Sequence, residues 1–312
     1  MKIGFIFSGQ GAQIAGMGNE FLEYSETYRH SMDLASKVLG YNIIDIINDN
    51  EKLNQTQYTQ PAVLAMSVSL MKMVKEELNL HPVLLAGLSL GEYTALVESG
   101  ALSFEDALRV VQQRGQFMAD AVPSGQGAMS AVIGLDRMIV EEICLGAQSK
   151  GLVIAANYNM PTQIAIAGTL VGVEEAELLL HEAGARRIIR LNVSGPFHTP
   201  LMKPASEKLK PILTSVAFQE MKIPVVTNVT GQILSKETDL VDNLMEQVMS
   251  PVYWEDSIRT MIENGVDTFI EIGPGKALSG FVKKIDKNVT VQNVDSLKSF
   301  DKLKKVLSQL ED

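Results

Sequence analysis

The pattern of apolar runs predicts an α/β protein: a parallel sheet covered by helices on both faces, with a ferredoxin-like subdomain inserted near the middle. Short apolar runs alternate with long stretches at helical spacing, the alternation of a parallel sheet between helical layers. The run Val83 to Ala86 passes through Gly87-Leu88-Ser89-Leu90-Gly91 into a helical pattern, a strand that turns sharply into a helix. Between residues 125 and 194 the order becomes β-α-β-β-α-β, that of a split ferredoxin-like unit.

The first strand covers 3–7 and is followed by the glycine-rich loop Ser8-Gly9-Gln10-Gly11-Ala12-Gln13. Helical patterns occupy 20–39 and 60–79. After the strand at 83–86, a helix over 92–99 is closed by Gly100, and Ser103 with Asp106 forms a capping-box start for the next helix. The inserted region predicts a strand at 128–134, a helix at 136–149, strands at 152–156 and 163–167, a helix at 173–183 and a strand at 187–193. Pro123-Ser124-Gly125 and Gly195-Pro196 punctuate its ends, dividing the chain into a core of 1–124 with 195–312 and a subdomain of 125–194. The core resumes with a helix at 201–215, a strand at 223–229, helices at 238–248 and 254–264 and a strand at 268–272. A helix from Lys276, a strand at 289–293 and a last helix complete it.

A chain of 312 residues that is 46% hydrophobic can bury a large core. Its net charge of -10 repels phosphates, which argues against nonspecific binding to nucleic acid or an anionic membrane. The single cysteine, Cys144, excludes an internal disulfide and a cysteine metal cluster, and reads as a small buried filler in a reducing compartment. The opening MKIGFIF is too short for the apolar core of a signal peptide, and no segment approaches the ~20 apolar residues of a membrane span. A cytoplasmic protein is expected.

Ser89, held between two glycines at minus and plus two, fits a nucleophile elbow; it also fits a plain turn. A serine nucleophile needs a base, and four histidines are available. His30 and His181 lie in charged helical stretches, and His81 precedes Pro82. His198 lies in the Gly- and Pro-rich loop VSGPFHTP, which can fix a ring beside a cleft or simply bond it to backbone. On the helix from about 104, Arg114 falls within the stripe of Ala107, Val110, Val111, Phe117 and Met118, whereas Arg109 and Gln113 lie off its centre. An inward guanidinium must be paired, either by a protein acid or by a substrate carboxylate. Neither glycine motif is a nucleotide site. Ile14 breaks the first loop as G-x-G-x-x-G, while Ile270 and Ala277 break Gly273-Pro274-Gly275-Lys276 as a phosphate loop. Gln10 and Gly11 can instead bring backbone N–H groups close to a ligand.

Taken together, GQGAQ at 9–13, TQPA at 59–62, GLSLGEY at 87–93, QRG at 113–115, NYNMPTQIAIAG at 157–168, VSGPFH at 193–198, QVMSPV at 247–252 and EIGPGKALSG at 271–280 resemble the malonyl-CoA:acyl carrier protein transacylases. The resemblance implies an α/β-hydrolase-like core, Ser89 as the acylated nucleophile, His198 as its base, and the backbone carbonyl of Gln247 orienting the imidazole. It also implies an oxyanion hole from the N–H groups of Gln10 and Leu90, Arg114 on the malonyl carboxylate, and Phe197 in the malonyl-selecting position. No separate cofactor or metal is implied, since coenzyme A is part of the substrate. The implied partners are malonyl-CoA and an acyl carrier protein, bound by a monomer; Lys203, Lys208, Lys283, Lys284 and Lys287 are candidate docking cations, and each fits a plain solvated surface equally well. Two positions depart from the family pattern: Leu88 where many members carry histidine, and Ser8 where many carry proline. The rivals are a serine esterase, an acyltransferase for another acyl-CoA, and a noncatalytic carrier-binding module.

Overall fold

The computed structural model describes residues 1–234, 236 and 239–311. Strand β1 (Ile3–Phe7) is followed by α1 (Asn19–Tyr24), α2 (Glu26–Leu39), α3 (Ile43–Asn48), α4 (Asn50–Leu53) and the long α5 (Thr56–Leu78). β2 (Leu84–Gly87) runs into α6 (Gly91–Ser99) and α7 (Phe104–Asp120). Next come β3 (Gly127–Ile133), α8 (Arg137–Ala147), β4 (Val153–Met160), β5 (Gln163–Thr169), α9 (Leu170–Glu182) and β6 (Arg187–Arg190). The remainder holds α10 (Lys203–Ser215), β7 (Val225–Val226), α11 (Leu240–Met249), α12 (Trp254–Glu263), β8 (Thr268–Ile272), α13 (Ala277–Ile285), β9 (Thr290–Val294) and α14 (Leu297–Glu311).

The first sheet has the order β7-β2-β1-β8-β9, and every pair in it is parallel. β1 is central and buried along its whole length. Its alternation splits the core: Ile3, Phe5 and Phe7 pack with α2, α5 and α7, while Ile6 packs with α12 and α13 on the opposite face. The second sheet, β4-β5-β3-β6, is antiparallel, and its four strands all lie within residues 127–190. Val140, Cys144 and Ala147 of α8 and Val173, Ala176 and Leu180 of α9 cover one of its faces. Cys144 is the buried filler its context suggested, and burial pushes its thiol up to about 12. The edge strand β4 bonds to the core: Tyr158 N–H donates to Val252 O at 2.9 Å, and Val252 N–H donates to Ala156 O at 2.8 Å. No helix among the described residues is long and apolar enough to cross a membrane.

Several boundaries differ from the sequence reading. The helix expected over 20–39 is broken at Ser25, whose extended backbone and side-chain oxygen, accepting from Tyr28 N–H, cap α2. The short α3 and α4 had not been anticipated. α5 begins at Thr56 instead of 60 and runs through Pro61. The strand expected over 223–229 keeps only Val225 and Val226, because the chain turns at 227–231, where Gly231 N–H donates to Thr227 O at 2.9 Å. α11 begins at Leu240; position 238 of the expected helix lies outside the described residues.

Candidate active site

Between β2 and α6 only Leu88, Ser89 and Leu90 make the turn, and Ser89 takes φ 52. A non-glycine residue in the left-handed region costs roughly 1–3 kcal/mol and persists only where its surroundings over-determine it. The flanking glycines are steric necessities. A Cβ on Gly87 would lie 1.9 Å from the carbonyl carbon of Gly91, and one on Gly91 would lie 2.1 Å from Phe7 O. A Cβ on Gly9 would lie 2.4 Å from Leu88 O, so the Ser8–Gln13 loop rests against the elbow.

His198, also left-handed at φ 62, is almost wholly buried in the loop leaving the second sheet. Its Nε2 lies 2.8 Å from Ser89 Oγ and its Nδ1 lies 2.9 Å from Gln247 O. A carbonyl can only accept, so Nδ1 carries the proton and the Nε2 lone pair faces the serine hydroxyl. The last turn of α11 supplies that carbonyl, where the helix leaves its C=O groups without internal partners. Burial, and then the charge of Arg114, pull the imidazole down to about 4; the Gln247 carbonyl works the other way. The ring is therefore a neutral base at neutral pH.

Arg114 comes from the inward stripe of α7 and is 1% exposed. Nη1 donates to Gln60 Oε1 at 2.8 Å, and Nη2 donates to Gln247 Oε1 at 3.0 Å and Ser89 Oγ at 3.2 Å. The guanidinium lies 5.4 Å from the Tyr93 ring, and its Nε has no partner among the described residues. It forms no ion pair among them: its hydrogen-bond partners are all neutral. The nearby acid, Glu92, is buried and turned to Asn228 N–H (2.8 Å) and Asn243 Nδ2 (2.8 Å), with burial raising its pKa. Of the two partners the sequence left open for Arg114, a protein acid makes no ion pair with it among the described residues, and a buried cation left without one is costly.

Gln10 anchors its side chain on Thr56 Oγ1 at 3.0 Å. The backbone N–H groups of Gln10 and Leu90 have no protein acceptor among the described residues, and Leu90 lies at the N-terminal, positive end of α6. The N–H of Ser89 is not free: it donates to Asn228 Oδ1 at 2.6 Å. Gln10, Ser89, Arg114, Phe197 and His198 line one cavity of about 490 Å³, floored in part by Leu88 and Met118. His30, His81 and His181 are exposed, and Arg109 pairs with Asp106 at the surface. The lysines at 203, 208, 283, 284 and 287 are exposed as well. Among the described residues no group of three or more His, Cys, Asp or Glu side chains is placed to hold a metal.

Four residues of this site had no assigned role from sequence: Gln60, Glu92, Asn228 and Asn243. Gln60 and Glu92 sit inside the quoted segments TQPA and GLSLGEY, where a polar side chain beside buried apolar neighbours is the legible signal. Asn228 carried none, since it lay within an expected strand.

Comparison with known proteins finds relatives over nearly the whole chain. An acyl transferase domain model matches residues 4–310. The malonyl CoA-acyl carrier protein transacylase of Bacillus subtilis is 45% identical over 291 residues, 92% of each chain. The crystal structure of the protein of that name from Clostridium perfringens is 44% identical, with a TM-score of 0.96 over 100% of this chain and 98% of that one. A malonyl-transacylase solved in complex with a type II polyketide acyl-carrier protein is 37% identical, with a TM-score of 0.94 over 96% of this chain and 98% of that one. With an elbow serine, a carbonyl-oriented histidine and a buried arginine brought to one cavity, and with relatives matching over nearly its whole length, the chain belongs to the malonyl-CoA:acyl carrier protein transacylase family.

Proposed function

We infer that the chain moves a malonyl group from malonyl-CoA to the phosphopantetheine thiol of an acyl carrier protein, through a malonyl ester on Ser89. The observation that carries this reading is Arg114: a buried guanidinium with no acidic partner among the described residues, 3.2 Å from the hydroxyl that would be acylated. A malonyl thioester places a carboxylate one methylene from its reacting carbonyl, so one group can engage arginine while the other meets the serine. An acetyl group leaves the guanidinium unpaired.

In the first half-reaction Ser89 Oγ attacks the thioester carbonyl as His198 Nε2 takes its proton, and the N–H groups of Gln10 and Leu90 hold the oxyanion. Collapse expels the thiolate of coenzyme A, which receives the proton from His198. The carrier thiol then gives its proton to the same nitrogen, attacks the ester and regenerates Ser89. Gln247 O keeps the imidazole in the required tautomer, and Phe197 bounds the space beside the malonyl methylene. The chemistry needs no cofactor beyond the coenzyme A of the substrate. The finer assignments belong to the same proposal: a cytoplasmic monomer that docks its carrier through exposed lysines, Lys283 and Lys284 foremost.

Intact mass after brief mixing with malonyl-CoA tests the reading. Wild type should gain one malonyl group, which the carrier thiol then removes, while Ser89→Ala gains none. An unmodified wild type, or an adduct that persists in Ser89→Ala, would overturn it.

A further inference from the structure

The serine hydroxyl and the imidazole are held by groups already described, but the turn that presents the hydroxyl is held from beneath by a residue that touches neither. The side chain of Asn228, fully buried, spans the elbow. Its Oδ1 accepts from Ser89 N–H at 2.6 Å and its Nδ2 donates to Gly87 O at 2.7 Å. These two bonds fix the amide orientation, because one neighbour can only donate and the other can only accept. Together they close a ring over Gly87, Leu88 and Ser89, the three residues where the strand becomes the left-handed turn.

Asn228 is itself clamped. Its backbone N–H donates to Glu92 Oε2 at 2.8 Å, and Glu92 Oε1 accepts from Asn243 Nδ2 at 2.8 Å. The early end of β7 is what brings it there: had the strand continued through 229, this backbone would belong to the sheet. From the other side Gln247 Nε2 donates to Ser89 O at 3.1 Å, so both backbone polar groups of the nucleophile are held by buried side-chain amides. The bond to Asn228 also withdraws Ser89 N–H from the oxyanion, which leaves that task to Gln10 and Leu90.

We propose that Asn228 is the positioning residue of the nucleophile: its amide locks the left-handed serine, and with it the alignment of Ser89 Oγ on His198 Nε2, while Glu92 holds Asn228 in register. The proposal rests on Ser89 being the acylated residue. An ångström of misplacement at a reacting centre costs about 10²-fold in rate, and that is the scale expected here. Asn228 lies outside the cavity lining, so substrate affinity should be spared.

The test is single-turnover acylation by malonyl-CoA, read by intact mass, on wild type, Ser89→Ala, Asn228→Ala and the isosteric Asn228→Asp. Both Asn228 variants should acylate about 10²-fold more slowly at saturation, with the half-saturating concentration changed by less than about threefold. Asn228→Asp adds a readout that tracks the bond to Gly87. Ionised, it sets an acceptor against Gly87 O; protonated, it can donate there as the amide does. Its rate relative to wild type should therefore rise at least about tenfold from pH 8 to pH 5. If Asn228→Ala does not fold, Asn228→Asp decides alone. An Asn228→Asp rate within threefold of wild type at pH 8, a flat pH ratio, or a loss confined to half-saturation would overturn the proposal. A malonyl adduct absent from wild type, or present on Ser89→Ala, would instead overturn the reading of Ser89 on which it rests.

Discussion

Replacing Arg114 by methionine removes the positive charge nearest the base while keeping an unbranched side chain in its place. Nη2 lies 3.2 Å from Ser89 Oγ, which lies 2.8 Å from His198 Nε2, so the charge sits within roughly 6 Å of the imidazole. At an effective dielectric constant of about 20, two unit charges at that separation repel by roughly 3 kcal/mol, or about 2 pKa units. Losing a neighbouring cation stabilises the imidazolium, so the pKa should climb from about 4 toward the ordinary value. Burial, the larger cause of the depression, is retained and keeps it from rising past that value. The assay is the pH dependence of kcat/KM for Ser89 acylation by acetyl-CoA, which carries no acyl carboxylate and loses no partner with Arg114; this parameter reports the free enzyme. The acid limb of Arg114→Met should lie about 2 units above that of wild type. A limb that stays in place, or moves to lower pH, refutes the argument.

With malonyl-CoA the same Arg114→Met variant should lose roughly 30- to several-thousand-fold in kcat/KM, the usual cost of removing one partner of a buried charged pair, while acetyl-CoA loses far less; equal losses on both would mean that Arg114 does not read the carboxylate. Gly87→Ala should destabilise the fold by roughly 3 kcal/mol or more in urea unfolding, because its Cβ would lie 1.9 Å from the Gly91 carbonyl carbon; wild-type stability would show that the elbow can relax. Glu271, on β8, accepts from Leu278 and Ser279 N–H at the start of α13 (3.2 and 2.7 Å), and burial raises its pKa from 4.5 to about 7. The folded chain thus holds a proton that the unfolded chain releases, so this stability, on the order of 3 kcal/mol, is present below about 4.5 and lost as pH rises through about 7. The Tm of Glu271→Gln should therefore gain on wild type between pH 5 and pH 8, and a constant offset would contradict the linkage.

What could be read from sequence was whatever depends on a local pattern. Strand–Gly–x–Ser–x–Gly–helix is a local motif, and its glycines are needed because the chain crosses itself within five residues. The inward Arg114 was legible from helical spacing alone, and the β-α-β-β-α-β order gave the second sheet without a partner being known. His198 stood out among the four histidines as one whose loop can fix a ring beside a cleft, but its pairing with Ser89 came only through the resemblance, because the two are 109 positions apart. The carbonyl of Gln247 had no signal of its own, since any residue carries one; the helix end expected at 248 leaves it without an internal partner but does not say what it meets. Asn228 was masked by a strand pattern that continues past the point where the strand stops. Hydrophobic periodicity cannot register that stop, which is enforced by hydrogen bonds to Gly87, Ser89 and Glu92, each more than 130 residues away.

A histidine oriented by a neutral carbonyl lacks the negative charge that a triad acid sets beside the forming imidazolium, and here a buried guanidinium opposes that imidazolium as well. Taken alone, the site holds a weak base and a serine whose oxygen already accepts a bond from Arg114. If Arg114 takes the malonyl carboxylate as proposed, a malonyl thioester would change both conditions: the pairing would screen the part of the His198 depression that Arg114 adds to burial, and would compete for the Nη2 donor on the hydroxyl. On that proposal the counter-charge missing from the triad would arrive with the substrate. Selection would then be exercised twice by one contact, first in binding and again in the basicity available for attack, and an acyl group without a carboxylate would forfeit both. Once the ester has formed, its own carboxylate would stay on Arg114, so water would meet the same base as the carrier thiol. Protection of the ester must therefore come from keeping water out of the line of attack, a task for the apolar wall of Leu88, Met118 and Phe197 around the cavity.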